Sequence, residues 1–138
     1  MTDEELVKIA IDMTKMSYVP YSHFHVGAAL LTTNGKVYTG CNIENAAYGP
    51  SNCAERTAIF KAVSEGERNF EAIAVVGGPE DADGNPIIQD FCPPCGVCRQ
   101  VMAEFCNKDF RIILAKSPTE LKVFTLGQLL PESFSLDK

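Results

Sequence analysis

Apolar side chains recur at helical spacing in three stretches of the chain. The first set that shares one helical face is Leu6, Ile9, Ala10 and Met13. This spacing predicts an amphipathic helix from residue 3 to about residue 17, with Thr2 or Asp3 as its N-cap and Pro20 beyond its end.

The other two stretches lie in the middle and in the second half of the chain. The second apolar face consists of Ala58, Ile59, Ala62 and Val63, and the third consists of Val97, Val101, Met102 and Phe105. The second set predicts a helix over residues 54–65 that ends before Gly66. The third predicts a helix that begins in the segment from Cys95 to Cys98.

Strand patterns separate these helices. Asn34 and Gly35 lie between two apolar segments, and this dipeptide tolerates the positive φ angles of a two-residue hairpin turn. We therefore expect a β-hairpin of residues 26–32 and 36–41.

The other segments with a strand pattern are residues 72–77, 111–115 and 122–124. The continuous apolar run of the first of them is typical of a central strand covered on both faces, and we expect a loop over residues 77–90 after it. The alternation of helices and strands predicts an α/β layered sheet, antiparallel at the hairpin and parallel at the helical crossovers.

Composition and charge narrow the choice of partners. The chain has 138 residues, of which 46% are hydrophobic and 22% charged, so we expect one globular domain over residues 1–138. The net charge of -6 repels a phosphate backbone, which argues against a nucleic acid partner.

The chain shows neither a signal-peptide pattern nor an apolar run that could cross a membrane, so we expect a cytoplasmic protein with no membrane partner. Its six cysteines should then be reduced, and a clustered subset is more typical of a metal site than of disulfides.

Three cysteines have the placement of metal ligands. Cys95 and Cys98 form a Cys-x-x-Cys pair at a helix start, and this spacing lets two thiolates bind one tetrahedral ion. Cys53 stands at another helix start, where the helix dipole also favours a thiolate. Glu55 follows two residues later and is a candidate acid/base beside a metal-bound water. Arg56 falls on the same helix face as Cys53 and could offset the charge of three thiolates, or it could be a surface residue.

Other metal sites compete with this interpretation. A closed structural zinc site that includes Cys92 as a fourth ligand stays open, and it would leave no position for water. The run of cysteines at 92, 95 and 98 also resembles the start of an iron–sulfur motif, but Met102 stands where that motif needs a cysteine. A calcium loop near residues 81–92 is rejected, because Pro86 replaces its glycine. Cys41 and Cys106 are interpreted as small buried apolar residues.

The motifs around these cysteines resemble those of one known family. They are Cys53-Ala-Glu55-Arg56 and Pro94-Cys95-Gly-Val-Cys98-Arg-Gln, together with Pro20-Tyr-Ser-His-Phe24, Gly40-Cys-Asn42-Ile-Glu44-Asn-Ala-Ala-Tyr48 and Leu129-Leu-Pro131-Glu-Ser-Phe134. In this combination the chain closely resembles the short, three-cysteine zinc cytidine deaminases over nearly its whole length. His23 and His25 lie outside the zinc motifs and are left out of the site. The chain departs from the compact family pattern in Cys92 and in an extended loop at 77–91.

The resemblance implies a fold, a cofactor and a set of site residues. The fold would be a three-layer α/β/α sandwich around a mixed five-stranded sheet, assembled as a homotetramer with one Zn²⁺ per chain. By the same resemblance Asn42 and Glu44 hydrogen-bond the ribose, Phe24 packs against the pyrimidine, and the backbone of Ala54 holds the base. The residues that would reach a neighbouring subunit's site are Tyr48 and Phe134.

The implied activity is hydrolysis of cytidine and deoxycytidine to uridine and deoxyuridine plus ammonia, a step of pyrimidine salvage. A zinc-bound hydroxide would attack the base, and Glu55 would carry the protons. The substrate would be a free pyrimidine nucleoside. Three alternatives are a deaminase of blasticidin-type nucleoside antibiotics, an editor of RNA or DNA, and a non-catalytic zinc or iron–sulfur module. The acidic charge disfavours the editor, and Asn42 with Glu44 favours ordinary nucleosides.

Overall fold

A computed structural model describes residues 1–136 of the chain. Its helices are α1 (Asp3–Thr14), α2 (Ala54–Ser64), α3 (Gly96–Phe105) and α4 (Leu126–Leu129). Its strands are β1 (Phe24–Thr32), β2 (Val37–Cys41), β3 (Phe70–Pro79), β4 (Arg111–Ser117) and β5 (Glu120–Thr125). No helix within residues 1–136 is long and apolar enough to cross a membrane.

The strands form one mixed sheet in the order β2-β1-β3-β4-β5. Strand β1 is antiparallel to both of its neighbours, and β4 is antiparallel to β5. Only the β3–β4 pair is parallel, and α3 lies in the connection between these two strands. This arrangement confirms the mixed five-stranded sheet with β3 at its centre and the parallel pairing at a helical crossover.

Helices cover the two faces of the sheet. On one face α1 buries Leu6, Val7 and Ala10 against small and branched strand residues. On the other face α2 and α3 bury Ala58, Ile59 and Met102 against the opposite side of the same strands. The three-layer α/β/α sandwich is therefore confirmed, and the second helical layer is the one that carries the zinc motifs.

Helix α2 lies unusually close to the hairpin because β2 has a glycine at the contact. A Cβ atom added to Gly40 would stand 2.2 Å from the carbonyl oxygen of Ala54 and 2.6 Å from the backbone nitrogen of Ala58. Only glycine allows this backbone approach. The contact fixes the N-terminal turn of α2, and with it Cys53 and Glu55, against the sheet.

Several predicted boundaries were wrong. Helix α1 ends at Thr14 rather than near residue 17, and the hydroxyl of Thr14 donates to the carbonyl oxygen of Ile11. Strand β3 continues to Pro79 through what we expected to be loop, because β1 pairs with it along that length. The hairpin is confirmed, but its turn is a three-residue one. Thr32 N–H donates to Lys36 O at 2.9 Å, which leaves residues 33–35 in the turn. Among these three residues only Gly35 takes a positive φ, of 87°.

Candidate active site

Two helix N-termini bring the three candidate ligands together. Cys53 is the N-cap residue of α2 and Cys95 is the N-cap residue of α3, while Cys98 lies in the first turn of α3. Neither N-cap side chain accepts a capping hydrogen bond from the backbone of its own helix. The positive ends of two helix dipoles therefore meet where thiolates are needed, as the spacing predicted.

The sulfur atoms have the separation that a tetrahedral zinc ion requires. Zn–S bonds of about 2.3 Å place the sulfurs of such a site about 3.8 Å apart. The sulfurs of Cys53 and Cys95 are 3.7 Å apart, and all three sulfurs lie within 4.8 Å of one another. In the described part of the chain this is the one cluster of its kind. The donor set thus fits Zn²⁺.

The thiols of Cys53 and Cys98 influence each other's protonation. Hydrogen bonds from Cys98, and then from Arg56 and Cys95, lower the pKa of Cys53 to about 5 although burial opposes this. The pKa of Cys98 is raised, first by its hydrogen bond to Cys53 and then by burial. The Cys53 thiolate is thus stabilised at the expense of Cys98, and a cation between the two sulfurs would favour ionisation of both.

Glu55 lies behind the cluster and is almost fully buried, with 4% of its surface exposed. Burial raises its pKa to about 7, and the negative charge of Cys53 adds to the rise. A carboxyl group that titrates near neutrality can both accept and donate a proton under physiological conditions. This is the chemical behaviour expected of an acid/base group rather than of a surface carboxylate in a first helical turn.

Arg56 is half-buried and contacts the cluster. Its Nη2 atom donates to the Cys53 sulfur at 3.2 Å, and its Nε atom is buried without a partner in residues 1–136. The guanidinium therefore places a fixed positive charge beside a sulfur ligand. This geometry favours the charge-offsetting role over that of a surface residue.

A cavity of about 160 Å³ opens directly onto the cluster and Glu55. Its lining consists of Val26, Asn42, Cys53, Ala54, Glu55, Cys92, Pro93 and Cys95. The cavity joins the carboxyl group of Glu55 and two sulfur ligands to an apolar wall. A small flat molecule placed here would contact the two sulfur ligands, the acid/base group and Ala54 together.

Asn42 and Glu44 stand at the wider mouth of the site. Both line an adjacent cavity of about 260 Å³, which also includes Arg56 and Tyr48. One oxygen of Glu44 accepts the backbone N–H groups of Tyr21 and Ser22 at 3.1 and 3.0 Å. These bonds fix the carboxylate, and Glu44 therefore presents an oriented acceptor at the mouth.

The remaining predicted residues are less enclosed. Phe24 begins β1 with 38% of its surface exposed, and its carbonyl oxygen accepts from Asn42 Nδ2 at 2.8 Å. Tyr48 is 80% exposed and Phe134 is 68% exposed. Tyr48 lines the outer cavity, whereas Phe24 and Phe134 are absent from the linings of these two cavities, which are formed within residues 1–136 of one chain.

Three residues of the inner cavity were missed from the sequence: Val26, Cys92 and Pro93. Strand alternation could have identified Val26, since it stands two residues after Phe24 on the same face of β1. Cys92 was considered only as a metal ligand. Its sulfur instead lies against β3, where a Cβ atom added to Gly77 would stand 2.9 Å from it.

We expect Cys92→Ala to keep about one zinc per chain and most of the deaminase activity. The sulfur of Cys92 is not part of the three-sulfur cluster and lies against Gly77 of β3 instead. The measurement is elemental zinc per chain in the purified variant. Loss of the metal would instead support the closed four-cysteine site.

The fold and the site together define a class of protein. Three thiolates that leave a cavity open beside them, with a buried carboxyl group next to that cavity, are the features of a zinc-dependent hydrolase. The family model of the cytidine and deoxycytidylate deaminase zinc-binding region matches residues 1–114. The chain belongs to this family of zinc-dependent deaminases.

Individual relatives extend the match to nearly the full chain. A cytidine deaminase of Halalkalibacterium halodurans is 48% identical over 137 residues, which are 99% of this chain and 97% of that protein. A blasticidin-S deaminase of Bacillus cereus is 32% identical and covers 96% of this chain and 92% of its own length. The crystal structure of cytidine deaminase from Burkholderia pseudomallei superimposes with a TM-score of 0.85 at 45% identity, covering 97% of this chain and 100% of that one.

Proposed function

We propose that the protein hydrolyses the amino group of cytidine and deoxycytidine and releases uridine or deoxyuridine and ammonia. The observation that carries the proposal is the inner cavity, where the buried Glu55 and two of the three sulfur ligands line the same space. A relative named cytidine deaminase is 48% identical to this chain, whereas the relative named blasticidin-S deaminase is 32% identical. The ordinary nucleoside is therefore the preferred substrate over the antibiotic.

The residues of the inner cavity have distinct tasks in this reaction. Cys53, Cys95 and Cys98 would hold Zn²⁺, which would act as a Lewis acid toward water. Glu55 takes one proton from the attacking water and passes it to N3 of the base. It then takes the second proton from the oxygen now bonded to C4 and passes it to the amino group, which leaves as ammonia. Arg56 offsets the negative charge of the three thiolates, so that the site does not oppose ionisation of the water.

The outer residues bind the nucleoside. Asn42 and Glu44 hydrogen-bond the ribose hydroxyls, since they stand at the mouth that adjoins the inner cavity. Phe24 packs against the pyrimidine face, and the backbone of Ala54 hydrogen-bonds the base. The substrate is a free nucleoside and not a nucleic acid, because the chain carries a net charge of -6.

The assembly is proposed to be a homotetramer in which Tyr48 and Phe134 complete a neighbouring subunit's site. Support comes from the exposure of both aromatic side chains, at 80% and 68%. Large aromatic rings in contact with water are typical of surfaces that become buried in an assembly. Light scattering of the purified protein measures the subunit number directly.

The direct test of the function is the loss of cytidine absorbance in the ultraviolet with purified protein. We expect turnover that a zinc chelator abolishes and that added zinc restores. Absence of turnover with cytidine and deoxycytidine, in protein that contains zinc, would refute the proposed activity. Turnover of blasticidin S in the same preparation would then support the antibiotic deaminase.

We expect Glu44→Gln to raise KM for cytidine about tenfold or more with a smaller effect on kcat, because a carboxylate acceptor for a sugar hydroxyl is lost. Cytidine monophosphate should be a poor substrate of the wild type, since Glu44 would face a charged ligand in an acidic protein. The measurement is kcat/KM for cytidine and for the monophosphate with both enzymes. Equal wild-type rates on the two compounds would contradict the proposed sugar site.

A further inference from the structure

Two histidines flank Phe24, and both bind one carboxylate. Glu80 Oε1 lies 2.8 Å from Nδ1 of His23, and Glu80 Oε2 lies 2.7 Å from Nε2 of His25. Each carboxylate oxygen therefore serves one ring. The contact joins the end of β3 to the start of β1 across 55 residues of sequence. We refer to the side chains of His23, His25 and Glu80 as the His–Glu clamp.

The inner half of the clamp is fixed by the protein core. His25 is buried, with 8% of its surface exposed, and its Nδ1 atom lies 2.7 Å from the hydroxyl of Ser17. That hydroxyl in turn lies 2.7 Å from the carbonyl oxygen of Thr14 at the end of α1. Both ring nitrogens of His25 are thus bound, and the ring holds Glu80 in a defined place.

The outer half of the clamp stabilises an unusual backbone conformation. His23 has φ of 56°, in the left-handed region where the Cβ atom of a non-glycine residue is crowded. The positive φ turns the chain immediately before Phe24. Because such a conformation persists only when its surroundings impose it, the bond from His23 to Glu80 is part of what keeps the turn in place.

The sheet itself gives Phe24 little support on this side. Phe24 pairs with Pro79 at the end of the β1–β3 ladder, and proline has no N–H group to donate. Glu80, the next residue, supplies side-chain contacts on both sides of Phe24 instead. On the side of the site, Asn42 Nδ2 donates to the carbonyl oxygen of Phe24 at 2.8 Å. The backbone of Phe24 is therefore held between a residue of the site and the clamp.

We propose that Glu80 is a positioning residue for the pyrimidine: through His23 and His25 it fixes the place from which Phe24 packs against the base. This inference rests on the proposed function, in which Phe24 forms one wall for the pyrimidine. Glu80 acts through Phe24 and not on the reacting atoms. An aromatic ring that contacts the substrate and the transition state equally contributes to binding more than to the chemical step. Loss of the clamp therefore raises KM and leaves kcat nearly unchanged.

The test compares Glu80→Gln with wild type for cytidine turnover. A glutamine offers one acceptor oxygen and cannot accept from both histidines. We expect KM to rise about fivefold to tenfold and kcat to stay within about twofold. Glu4→Gln, at an exposed position of α1, is the matched control and should leave both constants unchanged.

A double-mutant cycle separates positioning of Phe24 from a general structural role. Phe24→Leu alone should raise KM. Adding Glu80→Gln to it should raise KM no further, because the aromatic ring that the clamp positions is already absent. An unchanged KM in Glu80→Gln overturns the proposal. So does an equal rise in KM on the wild-type and Phe24→Leu backgrounds.

A further variant covers the case in which Glu80→Gln does not fold. His23→Asn removes one half of the clamp but keeps a residue type that tolerates the left-handed conformation. We expect KM to rise about twofold to fivefold, and an unchanged KM overturns the proposal. Failure of the proposed function has a different result: wild-type protein that contains zinc would not turn over cytidine at all, before any clamp variant is measured.

Discussion

Glu55→Gln should lower kcat for cytidine by about 10²- to 10⁴-fold, the range by which a positioned acid/base group accelerates a reaction. Glutamine has the size and shape of glutamate, so it fills the same buried place next to the cluster. It cannot accept a proton from water or return one to a leaving amino group. Zinc content should stay at about one per chain, since the side chain is not among the sulfur ligands.

The control for this variant is Glu65→Gln, at the exposed C-terminal end of the same helix. It changes the net charge by the same amount and should leave kcat and zinc content unchanged. The measurements are kcat by ultraviolet absorbance and zinc by elemental analysis on one preparation of each protein. A Glu55→Gln enzyme with more than about a tenth of the wild-type kcat would contradict the proton-transfer role.

The elements that could be predicted from the sequence are those with a local signal. The apolar stripes of α1, α2 and α3 and the apolar run of β3 each identified an element, although Val97 of the α3 stripe is exposed. Cys53 and Cys95 could be placed at helix starts for the same reason, because the stripe begins just after each of them. These predictions required no knowledge of how distant segments pair.

The parts that were missed depend on pairing between distant segments. Gly77, Gly78 and Pro79 have the composition of a turn, yet they extend β3 because β1 is long enough to pair with them. Such tertiary pairing overrides local preference. Helix α4 did have a local signal, the capping box of Thr125 and Gln128, but it has only four residues and no apolar stripe.

The clamp could not be predicted from the sequence for the same reason. His23 and His25 are separated from Glu80 by more than 50 residues, and no spacing rule connects them. The histidines were therefore interpreted as ordinary side chains. The zinc cluster also combines distant residues, but thiolates bind few kinds of partner, so the chemistry of cysteine narrows the set of possible ligands. A histidine can hydrogen-bond many kinds of residue, so its partner cannot be chosen in the same way.

Cys98→Ala should reduce zinc to below about a tenth of one ion per chain and remove measurable deaminase activity, because two protein ligands hold zinc weakly. Cys98 is fully buried between the two helix starts, so no water-exposed side chain can take its place. Its removal also takes away the hydrogen bond that contributes most to the low pKa of Cys53. Cys53 then loses part of its ionisation, and the two remaining sulfurs lose their third partner.

Cys106→Ala is the matched control for the loss of a sulfur from the same helix. Cys106 is the C-cap residue of α3, packs against the same core, and lies outside the cluster, and burial raises its pKa to about 12. This variant should keep about one zinc per chain and nearly full activity. The melting temperature gives an independent measurement. A chelator should lower it for wild type and Cys106→Ala but not for Cys98→Ala, since only a bound ion stabilises the folded state. Full zinc content in Cys98→Ala would show that the ion is held by a different set of ligands.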